Sequence, residues 1–563
     1  MDGDVSLEKN EEESEQLSTV KRDVNLVPEF SELLGYYNRV REFESKDTVS
    51  PIHVDELASR VAVVYEKIRQ IIDWKDEHLI RRMAIERSLK RSMISKISGI
   101  DVLPGATGEN LAEPLVMEII RGGHLPNDKI PKTKIAHVTA ALNKYIYILN
   151  NNNVGPLAVK TRVNFYNWIL EVAACEIEEI LSPPLKENGM MNFMTNMINK
   201  RLKLLPDNYV SAEDRVILTY IAVQRTLYNL DDPIISYNIL KYKYPKWISD
   251  PNSLIREIAA NSVGVWKEIE DYLSDKRGAE FYKVCEKYDA AYLVLGDALS
   301  YISSEKLHFE DVCSDWERLR DVIRKAYDER LSTLKSRLTR SAIYSTLSIF
   351  LAGGLSLFVF EVPLAALFYG HFSPIAVVVD IMIPTVLMFL LVITIRPTRK
   401  DNFERVLEEI RKIIYVTDDL DTYEVQFNKK GKTFINLLFG FSYFIVTVVS
   451  FGLVFYLFYI AKVPWTSLYV DTANIAIIVF AALVIRQKAK EVTIEENAGA
   501  ADFLIDIFSI PLAKLGQWLA SKWKEYNIFS VFFTVVVDYP IMTIVGLIED
   551  WRNFLKDKKS AIH

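Results

Sequence analysis

The chain has 563 residues, half of them hydrophobic, and a formal net charge of −7. This acidic balance argues against nucleic acid as a partner, because nucleic-acid-binding surfaces need an excess of basic residues. The three cysteines (Cys175, Cys285 and Cys313) are too few and too scattered to form a disulfide framework or a zinc site, and they suit a reducing compartment.

Residues 1–24 are acidic and contain few apolar side chains. A segment of this composition cannot bury enough surface to fold, so we predict that it is disordered. It also lacks the basic and apolar regions of a secretory signal peptide, which predicts that the following domain stays in the cytoplasm.

Residues 25–304 have the pattern of a large cytoplasmic helical domain. Apolar residues recur at intervals of three and four over 77–97, 132–149, 159–181, 212–230 and 254–273. Alternation of the kind that predicts strands is scarce, so we expect an all-α fold. Turn-forming residues between 150 and 184 mark the boundary if this domain consists of two parts.

One predicted helix of this domain carries a run of basic residues. Arg81, Arg82, Arg87 and Arg91 are interleaved with apolar side chains, which on a helix gives a cationic amphipathic surface. Because such surfaces bind anionic lipid or an acidic partner, these four arginines are candidate membrane-surface contacts. The alternative interpretation is an ordinary solvated helix face.

A pair of carboxylates, Asp231 and Asp232, precedes a proline later in the domain. Convergent carboxylates can hold a divalent cation. The sequence Asp-Asp-Pro after a helix is more typical of a turn, however, and we favour the turn.

Residues 305–340 are densely charged and contain neither glycine nor proline. This composition predicts one long helix, a stalk that leads directly into the first strongly apolar segment. Basic residues close the stalk next to that segment.

Four apolar segments follow, over 343–360, 375–395, 435–460 and 468–485. Each is close to the length that crosses a bilayer, so we predict four transmembrane helices in two hairpins, over 341–395 and 434–486. Basic residues flank the first segment, fill the connection 396–433 and follow the fourth segment. The positive-inside rule then places these flanks and both termini in the cytoplasm, with a short helix in the 396–433 loop.

Three ionisable residues lie at the predicted outer end of the first hairpin. Glu361, His371 and Asp380 are candidates for an intramembrane polar site, because ionisable groups at membrane depth usually face a bundle interior or a water-filled path. The alternative is that Glu361 and His371 are loop residues that reach water. Gly353 and Gly354 permit close contact between helices, which is compatible with a homo-oligomer.

Residues 487–563 have the composition of a cytoplasmic tail lying against the membrane. Apolar positions at helical spacing, together with Trp518, Lys522, Trp523 and Lys524, predict an amphipathic helix in the interface plane. The segment 529–547 is apolar enough for a fifth span, but a central aspartate and proline favour a second interfacial helix or a shallow re-entrant pair.

Short motifs spread along the chain carry a family resemblance: Leu125-Pro126-Asn127-Asp128-Lys129-Ile130-Pro131, Ala222-Val223-Gln224-Arg225, Glu361-Val362-Pro363 with Gly370-His371, and Glu549-Asp550-Trp551. With these motifs the chain resembles a group of multi-pass membrane proteins of small-genome bacteria that has no established activity. The resemblance implies a bacterial inner-membrane location and transfers no catalytic residue.

Motifs of enzymes and cofactor sites are missing from the sequence. It contains no glycine-rich phosphate loop, no HExxH zinc motif, no CxxC pair and no GxSxG elbow, so we expect no catalytic residue, metal or cofactor. The sequence predicts a membrane protein that anchors a cytoplasmic scaffold or interaction domain, with the lipid bilayer and a cytoplasmic protein as partners. The first alternative is a small-solute or proton-coupled transporter, and the second is a membrane-bound lipid or envelope enzyme.

Overall fold

A computed structural model describes most of the chain. The described residues are 26–45, 50–54, 77–93, 105–155, 157–206, 209–249, 251–356, 363, 382–383, 385–391, 401–416, 422–427, 433–460, 465–493, 500–526, 547, 551, 554–555 and 558. The acidic segment 1–24 lies outside this part, as do nearly all of 529–547 and the three outer polar residues Glu361, His371 and Asp380.

The described residues are predominantly helical, which confirms the predicted all-α class. The helices are α1 (Pro28–Ser45), α2 (Glu77–Met93), α3 (Gly108–Arg121), α4 (Thr133–Asn151), α5 (Val159–Leu181), α6 (Leu185–Arg201), α7 (Ala212–Leu227), α8 (Asp232–Lys243), α9 (Lys246–Ser249), α10 (Pro251–Leu273), α11 (Gly278–Ser304), α12 (Phe309–Cys313), α13 (Trp316–Ser356), α14 (Asn402–Ile414), α15 (Thr433–Ile460), α16 (Trp465–Lys488) and α17 (Ala500–Tyr526). Two short strands, β1 (Leu202–Leu205) and β2 (Tyr423–Gln426), pair in parallel.

The first hydrophobic core, called core 1 here, is built from α1, α6, α7 and α11–α14 with both strands. Phe193 and Tyr292 meet edge to face at its centre, with ring centroids 5.7 Å apart. Aromatic pairs in this arrangement add to the stabilisation that burial alone provides.

The second hydrophobic core, core 2, is built from α2–α5 and α8–α10. Phe165 packs between Trp168 and Trp266. A buried ion pair lies in the same core, because Lys144 Nζ donates to Glu176 Oε1 at 2.6 Å.

Helix α7 forms the wall between the two cores. Leu218 and Val223 on one face belong to core 1, whereas Ile217 and Ile221 on the other belong to core 2. The chain passes from core 2 to core 1 between α5 and α6, returns to core 2 at α8, and enters core 1 again at α11. The two cores are therefore interleaved along the sequence.

The predicted stalk differs from the structure in two respects. The helix is interrupted after α12. Here Asp315 Oδ1 accepts a hydrogen bond from the backbone N–H of Glu317 at 3.1 Å and so caps the start of α13. Helix α13 then runs without interruption into the first predicted span. Its first half is part of core 1, with Leu319 and Ile323 buried, so this helix is not a free stalk.

The connection between the two predicted hairpins is part of core 1. Helix α14 agrees with the predicted short helix, and it buries Val406, Ile410 and Ile413 in that core. Strand β2 pairs with β1 in the register Leu202 to Tyr423. The segment is therefore built into the folded body and is not a surface loop.

Within the described part of the chain, one helix is long and apolar enough to cross a membrane. It is the stretch Leu437–Leu457 of α15, with a mean hydropathy of 2.2 and few buried residues. The prediction of four spans is supported for the third span alone. Most of the second predicted span lies outside the described residues.

Helix α17, the predicted interfacial helix, packs against α15 and α16. Leu512 and Ala513 are buried in a small apolar cluster with Val454 and Ile475. Gly516 allows the closest approach, because a Cβ atom at this position would overlap the carbonyl group of Ala476. The helix is therefore covered on one side by protein.

Candidate functional site: a polar groove beside the apolar helices

A groove of about 1810 Å³ lies where cores 1 and 2 meet the middle of α13 and the end of α16. Its walls come from α5–α8 and α11 on the side of the cores, and from α13, α16 and the residues that follow α16 on the other side. This is where the predicted cytoplasmic body and the predicted membrane helices come together.

Arg330 of α13 is the central charge in the wall of this groove. Its Nη1 donates to Asp297 Oδ2 and its Nη2 to Glu491 Oε1, both at 2.6 Å. Burial opposes the positive charge, but the two carboxylates outweigh burial and raise the pKa of Arg330. Arg330 thus fixes the segment after α16 to the helix that precedes the first apolar segment.

Asn402, the first residue of α14, makes a second connection beside it. Its buried side-chain amide donates to the Tyr327 hydroxyl at 3.0 Å and to the Val492 carbonyl at 2.6 Å. Asn402 belongs to the segment between the two predicted hairpins, Tyr327 lies on α13 before the first of them, and Val492 follows α16 after the second. One amide therefore joins the segments before, between and after the two predicted hairpins.

A buried polar cluster fixes the connecting segment more deeply in core 1. Arg201 Nη1 donates to Glu409 Oε1 at 3.0 Å and to the Tyr423 hydroxyl at 2.9 Å. Arg201 Nη2 also donates to the Lys412 carbonyl at 2.7 Å. Burial, reinforced by Glu409, raises the pKa of the Tyr423 hydroxyl, so this hydroxyl stays protonated.

Asp289 of α11 lines the groove near the Arg330 cluster. Burial raises the pKa of its carboxyl group well above the ordinary value, and the nearby carboxylates Glu286 and Glu491 add to this effect. A carboxyl group held in this way favours its protonated form and can donate a hydrogen bond.

The four arginines predicted to contact a membrane surface lie on α2, and all four have interactions within the protein. Arg81 Nε donates to Glu178 at 2.8 Å, and Arg82 Nη2 donates to Asp231 at 2.6 Å. Both guanidinium groups are buried, so the structure corrects this interpretation for Arg81 and Arg82. Arg91 pairs with Glu118 at 2.6 Å, and Arg87 is half-buried with an interaction of its own.

Burying these cations is possible because helix α5 and the turn before α8 supply carboxylates that lie far away in sequence. The favoured turn at Asp231 is present, since Asp231 Oδ1 accepts from the Ile234 N–H at 3.4 Å at the start of α8. Glu171 faces the same cluster, and burial together with Glu86 raises the pKa of Glu171 to about 7.

The predicted tail contacts fall partly within the described structure. Trp518 on α17 is 55% exposed and Lys522 is half-buried. The side chains of Trp523 and Lys524 lie outside the described residues, as does the candidate polar site at Asp380, Glu361 and His371. Among the described residues, no group of three His, Cys, Asp or Glu side chains is arranged to hold a metal ion.

The local sequence pattern indicates no role for Arg201 or Asn402, and it marks Arg330 only as one of the basic residues that close the predicted stalk. Each is a single polar residue in an ordinary helical pattern, and its partners lie up to 222 residues away in the sequence. The one available signal is the alternation Tyr423-Glu424-Val425-Gln426, which is too short to indicate a strand by itself. Comparison of the chain with protein-family models, curated proteins and solved structures finds no match.

Proposed function

We propose that this chain is an integral membrane protein whose two hairpins anchor a helical scaffold domain at the cytoplasmic face of a bacterial inner membrane. The scaffold consists of cores 1 and 2, and it presents a surface to a cytoplasmic protein partner. Its hairpins comprise residues 341–395 and 434–486.

The observation that carries the proposal is the meeting of three segments at Asn402 and Arg330. The residues before the first hairpin, between the hairpins and after the second all pack into one folded body. If each apolar hairpin enters the membrane, it must therefore return to the side from which it started. Each hairpin would then cross the bilayer an even number of times, which agrees with the two apolar segments that the hydropathy pattern places in each hairpin.

Exposure of apolar side chains supports the same arrangement. Large hydrophobic residues are exposed on the described parts of all four apolar segments: Ile343, Leu347 and Phe350; Met382, Val386, Phe389 and Leu390; Leu437, Phe439, Phe441, Phe444 and Leu453; Ile477 and Val484. Apolar surface of this extent is unstable in water, and a bilayer is the environment that covers it. Basic residues at the ends that join the folded body favour the cytoplasmic side.

The transporter alternative depends on Asp380, Glu361 and His371, which lie outside the described residues, so no observation of their geometry favours it. The enzyme alternative has a groove, but burial raises the pKa of the Cys175 thiol that lines it, which opposes formation of a nucleophilic thiolate.

A cysteine-labelling experiment tests the proposal. The native cysteines are buried, so the unmodified chain provides a low-background control. We expect His371→Cys and Lys462→Cys to react with a membrane-impermeant maleimide in intact spheroplasts, because both positions lie in predicted outer loops. Val416→Cys, which is exposed beside α14, should react after permeabilisation only.

Alkaline carbonate extraction of the same membranes gives an independent readout. We expect the chain to stay in the pellet with its lipid. Release into the supernatant, or labelling of Val416→Cys in sealed spheroplasts, would overturn the proposed location.

A further inference from the structure

The end of the groove nearest the apolar helices carries cationic side chains without carboxylate partners. Arg337 and Arg340 on α13, Lys488 at the end of α16 and Lys490 just after it line this end. Among the described residues none of the four forms an ion pair, although the charge of Arg337 opposes the rise in the pKa of Asp297. All four side chains are exposed.

The carboxylates nearby are already engaged. Arg330 holds Asp297 and Glu491, and Arg486 Nη1 donates to Asp506 at 2.8 Å. The raised pKa of the Asp289 carboxyl group also reduces the negative charge in this part of the groove. Glu286, whose Oε1 accepts from Gln487 at 3.1 Å, is one further carboxylate beside the four cations, so this end of the groove has an excess of positive charge.

Apolar surface begins one helical turn beyond these cations. Tyr344 follows Arg340 by four residues, which places both on the same face of α13. Tyr344 is 56% exposed and Val484 on α16 is 37% exposed, and both line the groove. Leu338 on α13 packs against the apolar cluster that contains Ile478, Ala482 and Ile485 of α16.

The groove thus has a cationic end that continues into an apolar wall on two adjacent helices. Its volume exceeds that of most small-molecule sites, so it has room for a headgroup together with the first part of an acyl chain. A free acidic peptide or inorganic anion would use the cations but leave the apolar wall uncovered.

We infer that this groove binds one phospholipid with an anionic headgroup, which Arg337, Arg340 and Lys488 contact while its chains lie along Tyr344 and Val484. This inference rests on the proposed membrane location. The lipid would join α13 to α16 at the point where the hairpins enter the folded body.

Lipid binding to the purified full-length chain in neutral detergent tests the inference. The probes are dioleoyl phosphatidylglycerol and dioleoyl phosphatidylcholine, and bound lipid is counted by native mass spectrometry. We expect the unmodified chain to retain the anionic lipid preferentially. The double variant R337Q/K488Q should lower that preference at least about five-fold, since one basic side chain at an anionic surface contributes this much.

The matched control is K335Q/R318Q. It removes the same charge from exposed positions of α13 that do not line the groove. We expect it to retain the full lipid preference. Circular dichroism and size-exclusion chromatography show whether each variant is folded, and the comparison is made between folded variants.

Two further probes distinguish other ligands. Glycerol 1-phosphate, a headgroup without chains, and hexaglutamate should displace no bound lipid at the concentration of the lipid probe. Displacement by either, or equal lipid preference in R337Q/K488Q and K335Q/R318Q, overturns the lipid site. These outcomes leave the membrane location intact, because carbonate extraction tests that location separately.

Discussion

Arg201 of α6 and Glu409 of α14 form a buried ion pair across more than two hundred residues of sequence, with Nη1 and Oε1 3.0 Å apart. The Tyr423 hydroxyl accepts from the same guanidinium group. This pair ties the segment between the predicted hairpins to the helical domain that precedes them. It makes the two predicted hairpins insertions into one folded body.

Replacement of Arg201 by glutamine should destabilise the fold by about 3–5 kcal/mol, because the Glu409 carboxylate would stay buried without its partner. Chemical unfolding in detergent, followed by tryptophan fluorescence, measures this difference. Lys203→Gln is the control on the neighbouring strand. Its pair with Glu424 is exposed on both sides, so its loss should cost less than about 1 kcal/mol. Equal losses for the two variants would contradict the assigned role of Arg201.

Replacement of Asn402 by leucine should release the segment after α16. The Val492 carbonyl and the Tyr327 hydroxyl would each lose a buried hydrogen bond, at a cost of about 1–3 kcal/mol for each group left unsatisfied. Hydrogen exchange over 485–493 should accelerate in this variant and stay slow over α4. Asn261→Leu, at an exposed position of α10, should leave both regions unchanged. Protection of 485–493 that persists in the Asn402 variant would refute the connection.

The stability of core 2 should depend on pH through Glu171. Burial and Glu86 raise the pKa of Glu171 to about 7 from the ordinary value of 4.5, with Arg82 and Lys90 opposing and Asp231 adding to the shift. The folded state therefore favours the protonated carboxyl group. Its contribution to stability is complete below pH 4.5 and is lost as the pH rises to about 7.

Glu171→Gln should remove this dependence, because the amide imitates the protonated group. The variant should match the unmodified chain at pH 4.5 and exceed its stability at pH 8 by up to about 3 kcal/mol. Glu113→Gln, at an exposed position of α3, serves as the control and should show no such divergence. Parallel stability curves for the unmodified chain and Glu171→Gln would show that Glu171 does not titrate in this range.

Replacement of Gly516 by alanine should separate α17 from α16. The added Cβ atom would overlap the Ala476 carbonyl, and relief of this overlap should cost about 1–3 kcal/mol. Gly452→Ala on α15 makes the same change where no atom lies within 4 Å, and it should be neutral or stabilising by up to about 1 kcal/mol. Thermal unfolding in detergent distinguishes the two variants. A loss of stability in Gly452→Ala equal to that in Gly516→Ala would contradict this packing.

The helices of the fold could largely be predicted from periodicity. The patterns over 159–181 and 254–273 correspond to α5 and α10. Helix α10 buries one apolar face, whereas most of the circumference of α5 is buried. The break before α13 is not indicated by the sequence pattern, because the residues around Asp315 include neither glycine nor proline.

The polar residues of the groove could not be predicted in the same way. A basic residue at a helical position has the same local pattern whether it faces water, as Arg91 does, or a buried carboxylate, as Arg82 does. Its partner is fixed by tertiary packing alone. For this reason the sequence pattern presents Arg81 and Arg82 as surface cations and Arg330 as one of the basic residues next to the membrane, and it indicates no role for Asn402.

The segment between the predicted hairpins belongs to the same folded body as the preceding domain. Lys203 and Glu424 are direct neighbours in the parallel strand pair. Mild oxidation of the K203C/E424C double variant in native membranes should therefore give a rapid intramolecular crosslink. This crosslink closes a loop of more than two hundred residues and increases mobility on a denaturing gel. Either single variant should show no shift. Failure of the double variant to crosslink while it remains folded in the membrane would contradict the claim.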